Sequence, residues 1–146
     1  MNKKEMNNKG FSLVELIIVI AIMAILIGVL APQFIKYVEQ SRESTDLQNI
    51  EEFKTAIEAA VADGSVTGNV TISINTTAHT ISADADLSDY GLGTAGTTKP
   101  LKSSKWTGVT NPVYNTSTYS WNAYAGAADY YNIDGTKKGS GSGSSS

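Results

Sequence analysis

Apolar residues are gathered toward one end of the chain, and the pattern they make changes twice along its length. From Phe11 to Ala31 the sequence reads FSLVELIIVIAIMAILIGVLA, with no charged residue between Leu16 and Ala31. As a helix these 21 residues reach roughly 31 Å, about the thickness of a bilayer core. From Pro32 to Asp63 helical periodicity persists but turns amphipathic. Phe34, Ile35 and Val38 form one apolar patch, and Leu47, Ile50, Phe53, Ile57 and Val61 continue a stripe at helical spacing. Arg42, Glu43, Glu51, Glu52 and Glu58 fall between the apolar positions. Gly64 after Asp63 is a natural stop. Joined, the two segments predict a helix from Phe11 to about Ala62, roughly 78 Å long.

Beyond Ser65 the period becomes two. Val70, Ile72 and Ile74 alternate with Thr71 and Ser73, the polar turn Asn75-Thr76-Thr77 follows, and His79 to Ser82 completes a predicted hairpin. Asp84 to Pro100 reads as a Gly- and Asp-rich loop. Further strands are predicted at Tyr119–Ala123 and at Tyr130–Ile133, the latter closed by Asp134-Gly135. The last eight residues, 139–146, are only Gly and Ser, a flexible composition. The expected architecture is α+β: a long N-terminal helix whose second half packs on a small antiparallel sheet of three or four strands.

Length and composition narrow the classes. A chain of 146 residues has room for one domain, or for a long element and a small domain. The formal charge of −3 gives no reason to expect a nucleic-acid partner. With no cysteine, neither a disulfide framework nor a thiolate metal site is available, so packing alone must hold the domain. Lys3, Lys4 and Lys9 stand against one acid, Glu5, ahead of the apolar run. That excess places the N-terminus in the cytoplasm by the positive-inside rule.

A basic start before an apolar run first suggests a secretory signal peptide. Here, however, the small residue suited to cleavage, Gly10, precedes the run, and no A-x-A-like site follows it. The apolar segment also continues into an amphipathic helix. A plain single-pass anchor would explain the hydropathy but has no use for Glu15, since a carboxylate at the centre of a membrane helix costs about 3 kcal/mol and less near an end. Cleavage after Gly10 would give Phe11 a positive amine about 6 Å from Glu15 along the helix axis. Between helices packed out of water, such an amine and such a carboxylate need each other, and one pair would fix the axial register of assembly.

The run Lys9-Gly10-Phe11-Ser12-Leu13-Val14-Glu15-Leu16 resembles the class III signal of type IV prepilins and related pseudopilins. The resemblance is strong over about the first 60 residues and beyond them extends only to the order of helix, then sheet. It implies the pilin fold and a protein that is an enzyme's substrate, not itself an enzyme. A membrane aspartyl prepilin peptidase would cut between Gly10 and Phe11 and methylate the new Phe11 amine, and Glu15 would pair with Phe11 of a neighbouring subunit. It further implies a homopolymer in a helical filament, raised by a pilus assembly platform and ATPase, from a precursor held in the cytoplasmic membrane. No cofactor is implied.

On this reading residues 1–10 are a leader peptide and 11–31 the transmembrane or filament-core half of the helix. Residues 32–63 are its amphipathic half, 64–138 a β-sheet head and 139–146 a tail. Losing a leader with three lysines and one glutamate takes the charge from −3 to −5. The favoured function is the major pilin of a type IV pilus, and the alternative is a minor pilin or a pseudopilin of a type II secretion-type pseudopilus. Many members of the family staple a C-terminal loop with a disulfide, which this chain cannot do.

Other positions carry weaker signals. Pro32 cannot donate to the carbonyl of Gly28, so both weak points fall on one turn. The pair reads as a membrane-exit kink or as a segment that yields when subunits pack. Asp84, Asp86 and Asp89 could hold a hard cation, although the spacing is not an EF-hand and Asp is a common turn residue; no metal site is assigned. The lone His79 reads as a strand residue. Asn69, Asn75 and Asn115 head N-x-S/T triplets that read as polar strand and turn positions. The aromatics Trp106, Tyr114, Tyr119, Trp121, Tyr124, Tyr130 and Tyr131 are expected to be half core and half exposed. Lys99, Lys102 and Lys105 read as a solvated loop.

Overall fold

A computed structural model describes residues 10–92 and 97–139. Lys3, Lys4 and Lys9, in the stretch expected to be a leader, and most of the Gly/Ser tail lie outside the described residues. The chain forms two compact units, one ending at Tyr37 and the other beginning at Val38.

A single α-helix, α1 (Leu13–Ala62, 50 residues), supplies the first unit and part of the second. Its assignment is unbroken through Gly28 and Pro32. Gly64 ends it in the left-handed region, φ 83°, which a residue without Cβ adopts at little cost. The turn lets the Gly64 amide donate to the Val61 carbonyl at 3.2 Å and the Val66 amide to the Ala60 carbonyl at 3.1 Å. In the first unit the apolar side chains from Leu13 to Tyr37 are exposed throughout. This stretch of helix is long and apolar enough to cross a membrane.

The second unit is α+β. Its sheet has five strands in the order β3-β2-β1-β4-β5, all antiparallel: β1 (Val70–Asn75), β2 (Thr80–Ala83), β3 (Thr98–Pro100), β4 (Val113–Asn115) and β5 (Ser120–Trp121). The stripe Leu47, Ile50, Phe53, Ile57 and Val61, widened by Ala56 and Ala60, is buried as its spacing predicts. It meets Val70, Ile72 and Ile74 of β1 and Ile81 and Ala83 of β2 in one core, with Leu87, Leu101, Trp106, Tyr114 and Ile133. Period-two alternation puts Val70, Ile72 and Ile74 on the same buried face.

The sheet exceeds the expected three or four strands because two are too short to show periodicity. β3 lies within the stretch read as a loop, and β4 follows the buried Pro112. Only Val70 and Thr71 of β1 pair with β4. Further along, the Ile72 amide donates to the Pro112 carbonyl at 2.9 Å and the Ile74 amide to Asn111 Oδ1 at 3.1 Å. Tyr130–Ile133 is not a strand; it contributes one isolated bridge, Tyr131 to Lys137. The Tyr130 and Tyr131 amides are taken instead by a side chain of α1, and the Asn132 amide donates to the Thr136 carbonyl at 2.8 Å.

Both hairpins close with the same turn. Asn75 Oδ1 accepts from the amides of Thr77 and Ala78 at 3.0 and 2.8 Å, and Asn115 Oδ1 from Ser117 and Thr118 at 2.8 and 3.2 Å. Each turn then needs a left-handed residue, supplied by His79 (φ 54°) and Tyr119 (φ 52°). His79 is therefore a turn residue and not a strand residue.

Candidate processing and assembly site

The start of α1 is fixed by two reciprocal hydrogen bonds. Ser12 precedes the first helical residue, and its Oγ accepts from the Glu15 amide at 3.2 Å. The Glu15 carboxylate reaches back, and its Oε2 accepts from the Ser12 amide at 3.0 Å. This is a capping box: two of the donors that any helix start leaves without partners are satisfied by side chains. The Ser12 carbonyl opens the helical ladder by accepting from the Leu16 amide at 3.2 Å. Glu15 lies in the first turn, where its charge also suits the positive end of the helix dipole.

Gly10, Phe11 and Ser12 lie outside the helix, and Phe11 is 90% exposed. The geometry thus brings Glu15 to Ser12, a partner that sequence reasoning did not give it. The signal was present, for Ser-x-x-Glu before an apolar run is the pattern of a capping box. Gly28 has open space around its Cβ position, and Pro32 lies within continuous helix.

In the second unit two acids on the buried face of α1 are fully buried. Glu43 Oε1 accepts from the Asp129 amide at 2.9 Å, and Oε2 accepts from the Tyr130 and Tyr131 amides at 2.8 and 3.2 Å. Asp46 Oδ1 accepts from the Lys102 amide at 2.7 Å, while Oδ2 accepts from the Ser103 amide at 2.8 Å and from Trp106 Nε1 at 3.1 Å. One turn before Glu43, Glu39 accepts from the Ser103 hydroxyl. Lys105 and Asp129, 3.6 Å apart, link the two loops to each other. A row of carboxylates thereby anchors residues 102–106 and 129–131 to the helix. Glu43, four residues before Leu47, and Asp46, four before Ile50, continue the buried stripe, whereas Glu52 falls on the opposite face of the helix.

The remaining candidates are occupied by structural work. Asp84 Oδ1 accepts from the Thr71 amide at 2.7 Å, and Asp86 Oδ1 accepts from the Ser88 amide at 3.1 Å. Among the described residues no group of three or more His, Asp or Glu side chains is placed to hold a metal. Lys99 pairs with Glu52 and Lys105 with Asp129. Trp106 and Tyr114 are core, Tyr119 is exposed, and the other aromatics are half-buried. Trp121 packs on Tyr114 at 5.1 Å between ring centres, donates to Glu58 Oε1 at 2.7 Å, and shares the Lys54 ammonium with Tyr124.

Comparison with known proteins bears on the N-terminal part. Residues 6–31 match the family model for the prokaryotic N-terminal methylation motif, a span containing Gly10, Phe11 and Glu15. The chain is 42% identical over 60 residues to the type IV major fimbrial protein FimA of Dichelobacter nodosus, covering 41% of this chain and 38% of that protein. It is 35% identical over 71 residues to prepilin peptidase-dependent protein A of Clostridium perfringens, covering 48% of this chain and 51% of that one. The type IV major pilin protein PilA of Myxococcus xanthus matches at 43% over 49 residues, 34% of this chain and 22% of that protein. The chain thus spans about half or less of the length of these relatives. No solved structure matches. The chain thus carries the prokaryotic N-terminal methylation motif at the head of an apolar helix, and its N-terminal part is similar to that of type IV fimbrial and pilin proteins.

Proposed function

We propose that this chain is a structural subunit of a type IV pilus, made as a single-pass membrane precursor with its N-terminus inside. A prepilin peptidase removes residues 1–10 and methylates the amine of Phe11. Residues 11–31 then leave the bilayer for the filament core, residues 32–63 lie beneath the head, and residues 64–138 form the head.

The observation that carries the proposal is a lone carboxylate in the first turn of an exposed apolar helix, uncharged from there to Ala31. In the isolated subunit Ser12 occupies Glu15 Oε2, and no described residue bonds to Oε1. That oxygen is the acceptor offered to a neighbour's Phe11 ammonium when helices pack out of water. The pairing offsets the cost of burying either charge alone and sets the axial register.

Abundance separates a major pilin from a minor pilin or pseudopilin. The major role is favoured by the small head, and relatives named as major fimbrial or major pilin proteins support it. Mass spectrometry of filaments sheared from cells provides the test. Long filaments built mainly of a chain starting at N-methylated Phe11 are expected, and an intact Met1 start would overturn the reading. Glu15→Gln keeps a side-chain acceptor for the Ser12 amide but removes the charge, so filaments are expected to be lost.

A further inference from the structure

The capping box stops α1 two residues short of the bond that class III processing breaks, and we propose that Ser12 is a positioning residue for that cleavage. It defines the helix boundary so that the Gly10–Phe11 bond stays in non-helical backbone. The inference rests on the proposed cut between Gly10 and Phe11, and it assigns Ser12 a part in it.

A scissile carbonyl must be free to turn toward the catalytic groups, whereas a carbonyl inside a helix is committed to the amide four residues ahead. Were α1 to begin one turn earlier, the Gly10 carbonyl would accept from the Val14 amide, and the bond to be cut would lie within the first turn. Several residues favour such an extension. Phe11 and Leu13 have no capping side chain, the apolar run beyond them is strongly helical, and Asn8 and Asn7 are the next residues upstream able to cap. Ser12 opposes it at two points. Its hydroxyl accepts from the Glu15 amide, and its own amide is held by Glu15 Oε2. A residue so bonded has the non-helical backbone of a cap, and Gly10 and Phe11 are then left outside the helix and exposed. Gly10 adds to the boundary because glycine is a poor helix former.

The experiment compares processing of the full-length precursor in detergent by its peptidase, following leader loss by mass spectrometry. Ser12→Ala is expected to lower the cleavage rate about five-fold or more, with the Cα shifts of Gly10 and Phe11 moving toward helical values. Ser12→Thr keeps the hydroxyl and is expected to restore the rate. The decisive variant is Ser12→Ala with Leu13→Pro. Proline at the first helical position stops the helix and holds the preceding residue out of it, with no hydroxyl present. Restored cleavage supports the boundary role. Wild-type cleavage in Ser12→Ala alone overturns it. So does slow cleavage that threonine rescues and proline does not, which would make the hydroxyl a direct peptidase contact. If the unmodified chain is not cut after Gly10 at all, it is the proposed function that fails.

Discussion

Glu43 shows how much one side chain can hold. Its carboxylate is fully buried and takes three consecutive amides, those of Asp129, Tyr130 and Tyr131. A buried carboxylate is costly unless its lone pairs are filled, and three amides buried without acceptors would be costly as well. Each needs the other, so Glu43→Ala is expected to destabilise the fold by about 3 kcal/mol, read from urea unfolding. A loss below about 1 kcal/mol would show that water replaces the carboxylate there. Asp46 adds a dependence on pH. Burial pushes its carboxyl above the ordinary aspartate range; the Lys102 and Ser103 amides and the Trp106 indole pull it down, and Glu39 adds to the rise. With a raised folded pKa the folded chain keeps a proton that the unfolded chain has already lost. Between the ordinary value and the raised one, the contribution of Asp46 to stability therefore shrinks as pH increases. Asp46→Asn is expected to flatten that part of the stability profile from about pH 4 upward. An unchanged slope would move the titration to another group.

Elements differ in how far their own residues announce them. The long helix is legible because two signals agree, an uncharged run and then a stripe at spacings of three and four, and its end at Ala62 falls where the Asp63-Gly64 pair predicts. Its first residue is Leu13 and not Phe11, because the capping box competes with helix propagation. β1 and β2 are legible from alternation. β5 lies within the strand predicted at Tyr119–Ala123, but β3 and β4 are not legible, since three residues cannot display a period and their pairing depends on chain brought from elsewhere. Tyr130–Ile133 fails for another reason: its composition suits a strand, but Glu43 captures the amides of Tyr130 and Tyr131, and that of Asn132 closes a local turn on Thr136. The paired turns yield a prediction at this scale. His79 and Tyr119 occupy left-handed backbone that β-branched residues resist, so His79→Val is expected to cost about 1–2 kcal/mol, whereas His79→Gly is tolerated. Thermal melting of both variants distinguishes turn strain from loss of the ring, since the ring is absent in each. Within α1, Pro32 leaves the Gly28 carbonyl without its helical donor. Gly28→Ala with Pro32→Ala is expected to stiffen that turn, and unchanged filament diameter and extensibility would deny it a mechanical role.

At the scale of the whole molecule, the division at Tyr37 and Val38 separates two kinds of surface. Every buried apolar residue lies between Leu47 and Ile133, while the large apolar side chains from Phe11 to Tyr37 are among the most exposed. The two units therefore present different surfaces, the first an exposed apolar helix and the second a domain with its apolar side chains inside. The methylation motif was readable because its residues are consecutive along the chain, within residues 6–31. The anchoring of the head was not, because Glu43 and Asp46 meet amides more than fifty residues away. In place of a disulfide the head uses carboxylates reaching from the helix, and these lie wholly within the second unit. A chain beginning at Val38 keeps Glu39, Glu43, Asp46 and the complete core stripe, so it is expected to fold as a water-soluble monomer with one cooperative unfolding transition. The full-length chain, in contrast, is expected to need detergent or to self-associate. Analytical ultracentrifugation and urea unfolding of the shortened chain check both points. A shortened chain that fails to unfold cooperatively would mean that residues before Val38 supply part of the stability, although residues 10–37 are all exposed.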